Sequence, residues 1–359
     1  MQLVRILVLL AALCCATAAA QRTWTVDANG GGQFTTVEPA ILAASPGDLI
    51  LVRAGRYPGF LIDRGVTVVS QGATLFQTLH NPVIAVRDVP AGQRVVVKGF
   101  FSSSLPMIFG ASNTQAQVVF EDMYGEGNVI RAPNVTFRRC TLISGFGLRV
   151  TDGGAVVTQC TLMGQAPLTV TRSNVVFAES TATTAGSGFG QAAVRLDGGS
   201  VTITGGSDTV LIPDTTGVSM PVVDVLSTGD VFLSPYVTML PHGGAPVVRG
   251  GRVTIVSVPS LRADVLGATL STRLHAPGTG ATATLLALPV RNPAPTPFGA
   301  LWLPLDALVV DVGVVDAAGV RNLTLPILPV ALGSLFAMQS VAVTSGQLQL
   351  STPLLFVLP

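Results

Sequence analysis

The sequence predicts an all-β protein: a parallel β-helix headed by one short helix and followed by a small C-terminal β-sandwich. Three observations carry that expectation. Residues 134–142 (NVTFRRCTL), 154–162 (GAVVTQCTL) and 174–182 (NVVFAESTA) repeat one pattern at intervals of 20. A fixed period of that length with short alternating apolar runs describes a coil that climbs one strand spacing per turn. Charged residues are only 11% of the chain, against about 25% in a typical soluble domain. Its surface must therefore be built from Thr, Ser, Gln, Val and Gly, which suits stacked strands. Around Val258 the repeat stops. Pro277, Pro289, Pro293, Pro295, Pro297 and Pro304 then punctuate alternating strands, as in an antiparallel sandwich.

In order along the chain, residues 1–20 read as a secretory signal peptide. Arg5 supplies the positive start, residues 6–15 the apolar stretch and Ala18, Ala19 and Ala20 the small residues before Gln21. The stretch is too short for a permanent membrane anchor, and Leu13 before Cys14 is too large for a lipoprotein signal. The expected product is exported: secreted, extracellular or at the cell surface. The expected domains are the signal at 1–20, the β-helix at 21–257 and the sandwich at 258–359.

Residues 24–37 read as a strand and a Gly-rich turn. A short helix follows over 38–44 with Ile41 and Leu42 on one side, ended by Ser45, Pro46 and Gly47. Residues 48–52 read as a strand and 54–57 as a turn. Later coils are expected at 66–69, 83–86, 94–97 and 117–120, then the regular repeats, then 192–204, 221–233 and 246–256. Within many coils two strands should meet at polar or Gly hinges, at 151–154, 197–199, 227–230 and 249–251, where Gly supplies positive φ. Loops at 183–190 and 205–216 should bulge from the coil.

Two family resemblances sit on these residues. Phe34, Thr35, Thr36, Val37, Ala40, Ile41, Ala43, Ala44, Pro46, Gly47, Asp48, Ile50, Val52, Gly55 and Tyr57 resemble the entry turn and capping helix of the pectin lyase and pectinesterase superfamily. That resemblance implies a right-handed parallel β-helix with an N-terminal capping helix. Residues 297–303 (PFGALWL), 316–319 (DAAG), 323–326 (LTLP), 335–339 (LFAMQ) and 346–351 (GQLQLS) resemble a C-terminal module of secreted planctomycete proteins. It implies an accessory β-sandwich that brings no catalytic residues.

Without Arg5 the basic residues balance the 19 acidic ones. A neutral chain lacks the basic face that nucleic acid requires. No charged residue follows Arg321, yet Pro326, Pro329, Gln339 and Ser340 interrupt 323–343, so buried strands explain that stretch better than a membrane span. Cys140 and Cys160 occupy equivalent places in adjacent repeats, about one strand spacing apart. Either a disulfide or an unbonded inward stack continued by Ser180 fits that spacing.

Chemistry is sparse. His80, His242 and His275 lie far apart with no metal-ligand neighbours. The paired-Asp and Gln-rich motifs of pectinesterases are missing, and Tyr57 is followed by Pro58 and Gly59 instead of an acidic residue. Four Glu and fifteen Asp are scattered along the chain, whereas Ca²⁺ wants six to eight clustered oxygens. One patch stands out. Aligning coils on Met123, Cys140, Cys160 and Ser180 sets Glu121 beside Arg138 and Asp122 beside Arg139, with Gln159 and Glu179 continuing the second row. Phe120, Phe137, Val157 and Phe177 form an inward stack, so the charged pairs should turn outward at a corner.

The leading expectation is a non-catalytic extracellular protein that binds glycans or assembles at the cell surface through polysaccharide or other surface components, with no cofactor and no metal. Binding would use Glu121, Asp122, Arg138, Arg139, Gln159 and Glu179. The alternative is a pectin lyase-like polysaccharide lyase, or an esterase, acting on acidic polysaccharide with Arg138 or Arg139 as catalytic candidates. Ca²⁺ belongs to the lyase alternative alone. A third possibility is a purely structural wall component.

Overall fold

The computed structural model describes residues 21–76, 83–102, 107–143, 145–185, 191–205, 209–215 and 219–256. Beyond these it describes 259–266, 269–276, 280–287, 294–296, 299–301, 303, 307–326, 335–344, 347–351 and 354–357. The signal-like segment 1–20, His80 and Trp302 lie outside the described residues, as do much of the loops expected at 183–190 and 205–216. From Thr23–Val26 to Arg252–Ile255 the chain forms one parallel β-solenoid of about 10 turns.

Each coil has three walls, where the sequence suggested two strands per coil. The first wall stacks Arg94–Lys98, Gln117–Glu121, Val135–Arg138 and Gly154–Thr158 in register. The second stacks Thr141–Ile143, Thr161–Gly164, Thr181–Thr184 and Val210–Ile212. The third includes Ile84–Arg87, Met107–Ser112 and Leu148–Thr151. Val210–Ile212 falls inside the segment expected to be a loop. It is a strand because Leu211 points into the lumen, fully buried, on the rung after Ala182.

Alternation along short strands fills the lumen. Phe120, Phe137, Val157 and Phe177 are partners rung by rung and all 0% exposed. The Phe120 and Phe137 rings stack at 5.4 Å, within the range of favourable aromatic pairs. Cys140 and Cys160 are buried, unbonded thiols. The Cys140 amide donates to Cys160 Sγ at 3.3 Å, and the Cys160 amide to Ser180 Oγ at 2.9 Å. The inward stack, not the disulfide, is what the fold contains.

At the N-terminal end, helix α1 (Val37–Ala43) covers the first coil by burying Val37, Ala40 and Ile41. Those positions follow the i, i+3, i+4 spacing of one helix face. Leu42 lies off that face and is exposed, which corrects its expected pairing with Ile41. Residues 54–57 also correct an expectation: they belong to the strand Leu49–Pro58 and not to a turn. Tyr57 is fully buried there, accepting from the Ala28 amide and donating to the Arg53 carbonyl, each at 3.0 Å. At the other end the inward columns run out into solvent: Val231 and Leu233 are buried, but their next partners, Val253 and Ile255, are exposed.

The C-terminal part forms small antiparallel sheets. One is Ser260–Leu266, Thr269–His275 and Val320–Pro326; a second centres on Gly280–Ala287 and Leu335–Thr344. Leu308–Val314 is an edge strand of the second sheet. Open edges invite pairing with other chains. Here Arg321, held by Asp311 at 2.6 and 2.7 Å, donates to the carbonyls of Val312 and Val314. One guanidinium thus occupies acceptors that a foreign strand would need.

Candidate functional site

The corner after the first wall is built by backbone geometry. Asp122, Arg139, Gln159 and Glu179 all adopt left-handed φ, at 54°, 48°, 55° and 46°. That conformation costs an ordinary L-residue about 1–2 kcal/mol. The cost is offset because the first three corner amides find a carbonyl on the next coil: Asp122 to Arg138 at 3.1 Å, Arg139 to Thr158 at 3.1 Å and Gln159 to Ala178 at 3.3 Å. Stacking the corner therefore sets these four side chains in one row, with Glu121 and Arg138 in the row beside it.

The pairs expected from the repeat alignment are present. Arg138 Nη1 lies 3.0 Å from Glu121 Oε1, and Arg139 Nε lies 2.8 Å from Asp122 Oδ1. Arg139 also donates to Glu121, and Lys98 Nζ reaches the same Glu121 oxygen at 3.1 Å. One carboxylate thus holds three cations. Gln159 Nε2 turns instead toward Asp264 of the C-terminal sheets, at 3.4 Å. Glu179 lies two rungs beyond Arg139 in the corner row and is buried.

The cluster turns outward at the corner as expected, yet half of it is enclosed. Glu121 and Arg138 do point away from the lumen, but both side chains are 0% exposed. The C-terminal sheets lie over this wall. Its outward column, Val96, Val119, Thr136 and Val156, is buried too. Val96 and Val119 pack with Leu303 and Ala337 in a small separate core. The Asp264 charge reaches Arg138 from the same side. Nothing in the repeat itself announces that cover.

Burial alone would favour the neutral form of each member. For Arg138 burial wins: it lowers the guanidinium's proton affinity, opposed by Glu121. For Arg139 burial also works downward, but Asp122 and Glu121 outweigh it and the affinity is raised. For Asp122 burial works upward, yet the Arg139 hydrogen bonds and the charges of Arg139, Lys98 and Arg138 hold it below its ordinary 3.8. A depressed carboxylate stabilises the fold above its unfolded-state pKa and loses that effect as pH falls through the folded value. Asp122→Asn should therefore flatten the loss of stability below about pH 4 in acid titrations followed by thermal melting. Parallel losses in variant and parent would contradict this.

Other polar features are modest. Asn174, Gly199, Ser200, Asp230 and Phe232 line a shallow groove of ≈ 540 Å³ at the opposite corner of the first wall. Asn174 accepts from Ser200 at 2.8 Å, and Asp230 is held by Arg252. No group of three or more His, Cys, Asp or Glu fit to hold a metal ion occurs among the described residues. No helix among them is long and apolar enough to cross a membrane.

No family model and no curated protein matches the chain. Among solved structures, chitinase ChiW of Paenibacillus sp. str. FPU-7, a cell-surface-expressed multi-modular enzyme, matches 94% of this chain and 23% of its own at 11% identity. The TM-score is 0.16, too low to bear on what this chain does. The chain spans less than a quarter of that enzyme's length.

Proposed function

We propose that this chain is a secreted, non-catalytic β-solenoid of the pectin lyase-like kind that binds glycans or assembles at the cell surface. The C-terminal sheets are then an accessory module of the planctomycete type. The observation that carries the reading is the fate of its most enzyme-like cluster. Glu121 and Arg138 are fully enclosed, and their charges are spent on Lys98, Arg139 and each other. A general base must reach the proton it abstracts, and a polymer cannot reach Arg138 beneath the C-terminal sheets.

The lyase alternative would rest on Arg139 alone, already committed to two carboxylates. The assembly form of the reading gains support from the uncovered last coil, where Val253 and Ile255 are exposed. A purely structural wall component shares every feature of this reading except the ligand.

The test is turnover. Purified protein incubated with pectin, polygalacturonate or alginate, with and without Ca²⁺, should release no unsaturated products, reducing ends or methanol. Steady product formation abolished by Arg139→Ala would overturn the non-catalytic reading in favour of a lyase.

A further inference from the structure

One outward column on the second wall carries two exposed aromatic side chains on neighbouring rungs. Register sets Thr74 beside Phe101, and Tyr124, Thr141, Thr161, Thr181, Val210 and Thr238 follow on successive rungs. The step from Phe101 to Tyr124 is fixed by the Tyr124 amide donating to the Phe100 carbonyl at 3.3 Å. Phe101 and Tyr124 are each 42% exposed, whereas Phe109, Phe120, Phe137 and Phe177 are all enclosed. Two residues further along each strand, Ile143, Met163 and Ile212 form a parallel column of apolar side chains interrupted by Thr183.

From Phe101 to Thr181 the column covers four rung spacings, about 19 Å. From Phe101 to Thr184 the described strands of this wall carry one charged residue, Glu126, and the corner row of Asp122, Arg139 and Glu179 runs beside them. Among the described residues the C-terminal sheets pack on the first wall, while Phe101 and Tyr124 on this one are exposed.

We propose that this wall binds an extended, neutral polysaccharide laid along the solenoid axis. A β-linked pyranose chain advances by about one strand spacing per sugar, so each coil meets one sugar. The apolar faces of two sugars stack on Phe101 and Tyr124. The hydroxyls of Thr141, Thr161 and Thr181 both donate and accept, as sugar hydroxyls require. The column itself, from Phe101 to Thr181, carries no charged residue to recognise a uronate's carboxylates. The proposal rests on the glycan-binding reading and adds its place and ligand class.

Affinity electrophoresis through gels containing hydroxyethylcellulose, laminarin or polygalacturonate tests it. The intact protein should be retarded by a neutral glucan and not by polygalacturonate. Phe101→Ala, Tyr124→Ala and Thr161→Arg should each weaken that retardation about fivefold or more, with melting temperatures unchanged. Phe232→Ala, in the groove at the opposite corner, should bind as the parent does. Wild-type binding in all three wall variants, or loss only in Phe232→Ala, overturns the site while the glycan reading stands. Retardation by polygalacturonate alone overturns the ligand class. Retardation by none of the three polymers overturns both the site and the glycan reading.

Discussion

Glu121→Ala is expected to destabilise the protein by about 3–5 kcal/mol, the cost of breaking a buried ion pair by deleting one partner. The size follows from what remains. Lys98, Arg138 and Arg139 all converge on the Glu121 carboxylate. Without it, the enclosed Arg138 is left beside Arg139 and Lys98, with Asp122 and Asp264 as the opposing charges among the described residues. Arg138→Ala should cost less, about 1–3 kcal/mol, because Glu121 keeps Lys98 and Arg139. Arg139→Ala, on the half-exposed rim, should cost less again. Denaturant titration of the three variants checks the order. A loss below about 1 kcal/mol for Glu121→Ala would mean that the cluster is solvated and the cover incomplete. Glu121→Leu combined with Arg138→Met should recover most of the loss, since apolar side chains of similar volume fill such sites without the cost of desolvating two charges.

That ordering was only half legible in the sequence. The 20-residue repeat aligned Glu121 with Arg138 and Asp122 with Arg139, because parallel in-register coils turn sequence spacing directly into lateral neighbours. It said nothing of burial. Val96, Val119, Thr136 and Val156 look like ordinary outward strand residues, and what covers them comes from segments more than a hundred residues away, at Asp264, Leu303 and Ala337. Docking between non-repeating elements leaves no period to read.

The second wall was missed for a different reason. Its strands are three or four residues long, too short to show alternation apart from the corner before them. Phe101 and Tyr124 therefore show no alternation of their own in the sequence. Their signal was positional: each stands where the later repeats place Thr141, Thr161 and Thr181. The helix face was misjudged by one residue, since Leu42 is as apolar as Ile41 and only the 3.6-residue phase separates them.

Phe137→Ala is expected to cost about 3–5 kcal/mol, the usual range for deleting a fully enclosed phenylalanine ring. Phe137 is 0% exposed at the centre of the lumen stack, with Phe120 on the rung before it and Val157 on the rung after. Phe109, across the lumen, also approaches its ring at 6.1 Å. The neighbours cannot close the gap cheaply. Their backbones are fixed at the rung spacing by ladder hydrogen bonds on both sides, so a coil cannot settle inward without breaking register with the next. The cavity term therefore stays near its maximum. Val157→Ala, one rung on, removes far less volume and should cost about 1–2.5 kcal/mol. Chemical denaturation of both variants, with far-ultraviolet circular dichroism to confirm that the solenoid persists, gives the comparison. Equal small losses below about 1 kcal/mol would show a lumen able to collapse, and with it a coil less rigidly registered than the ladder of Phe120, Phe137, Val157 and Phe177 requires.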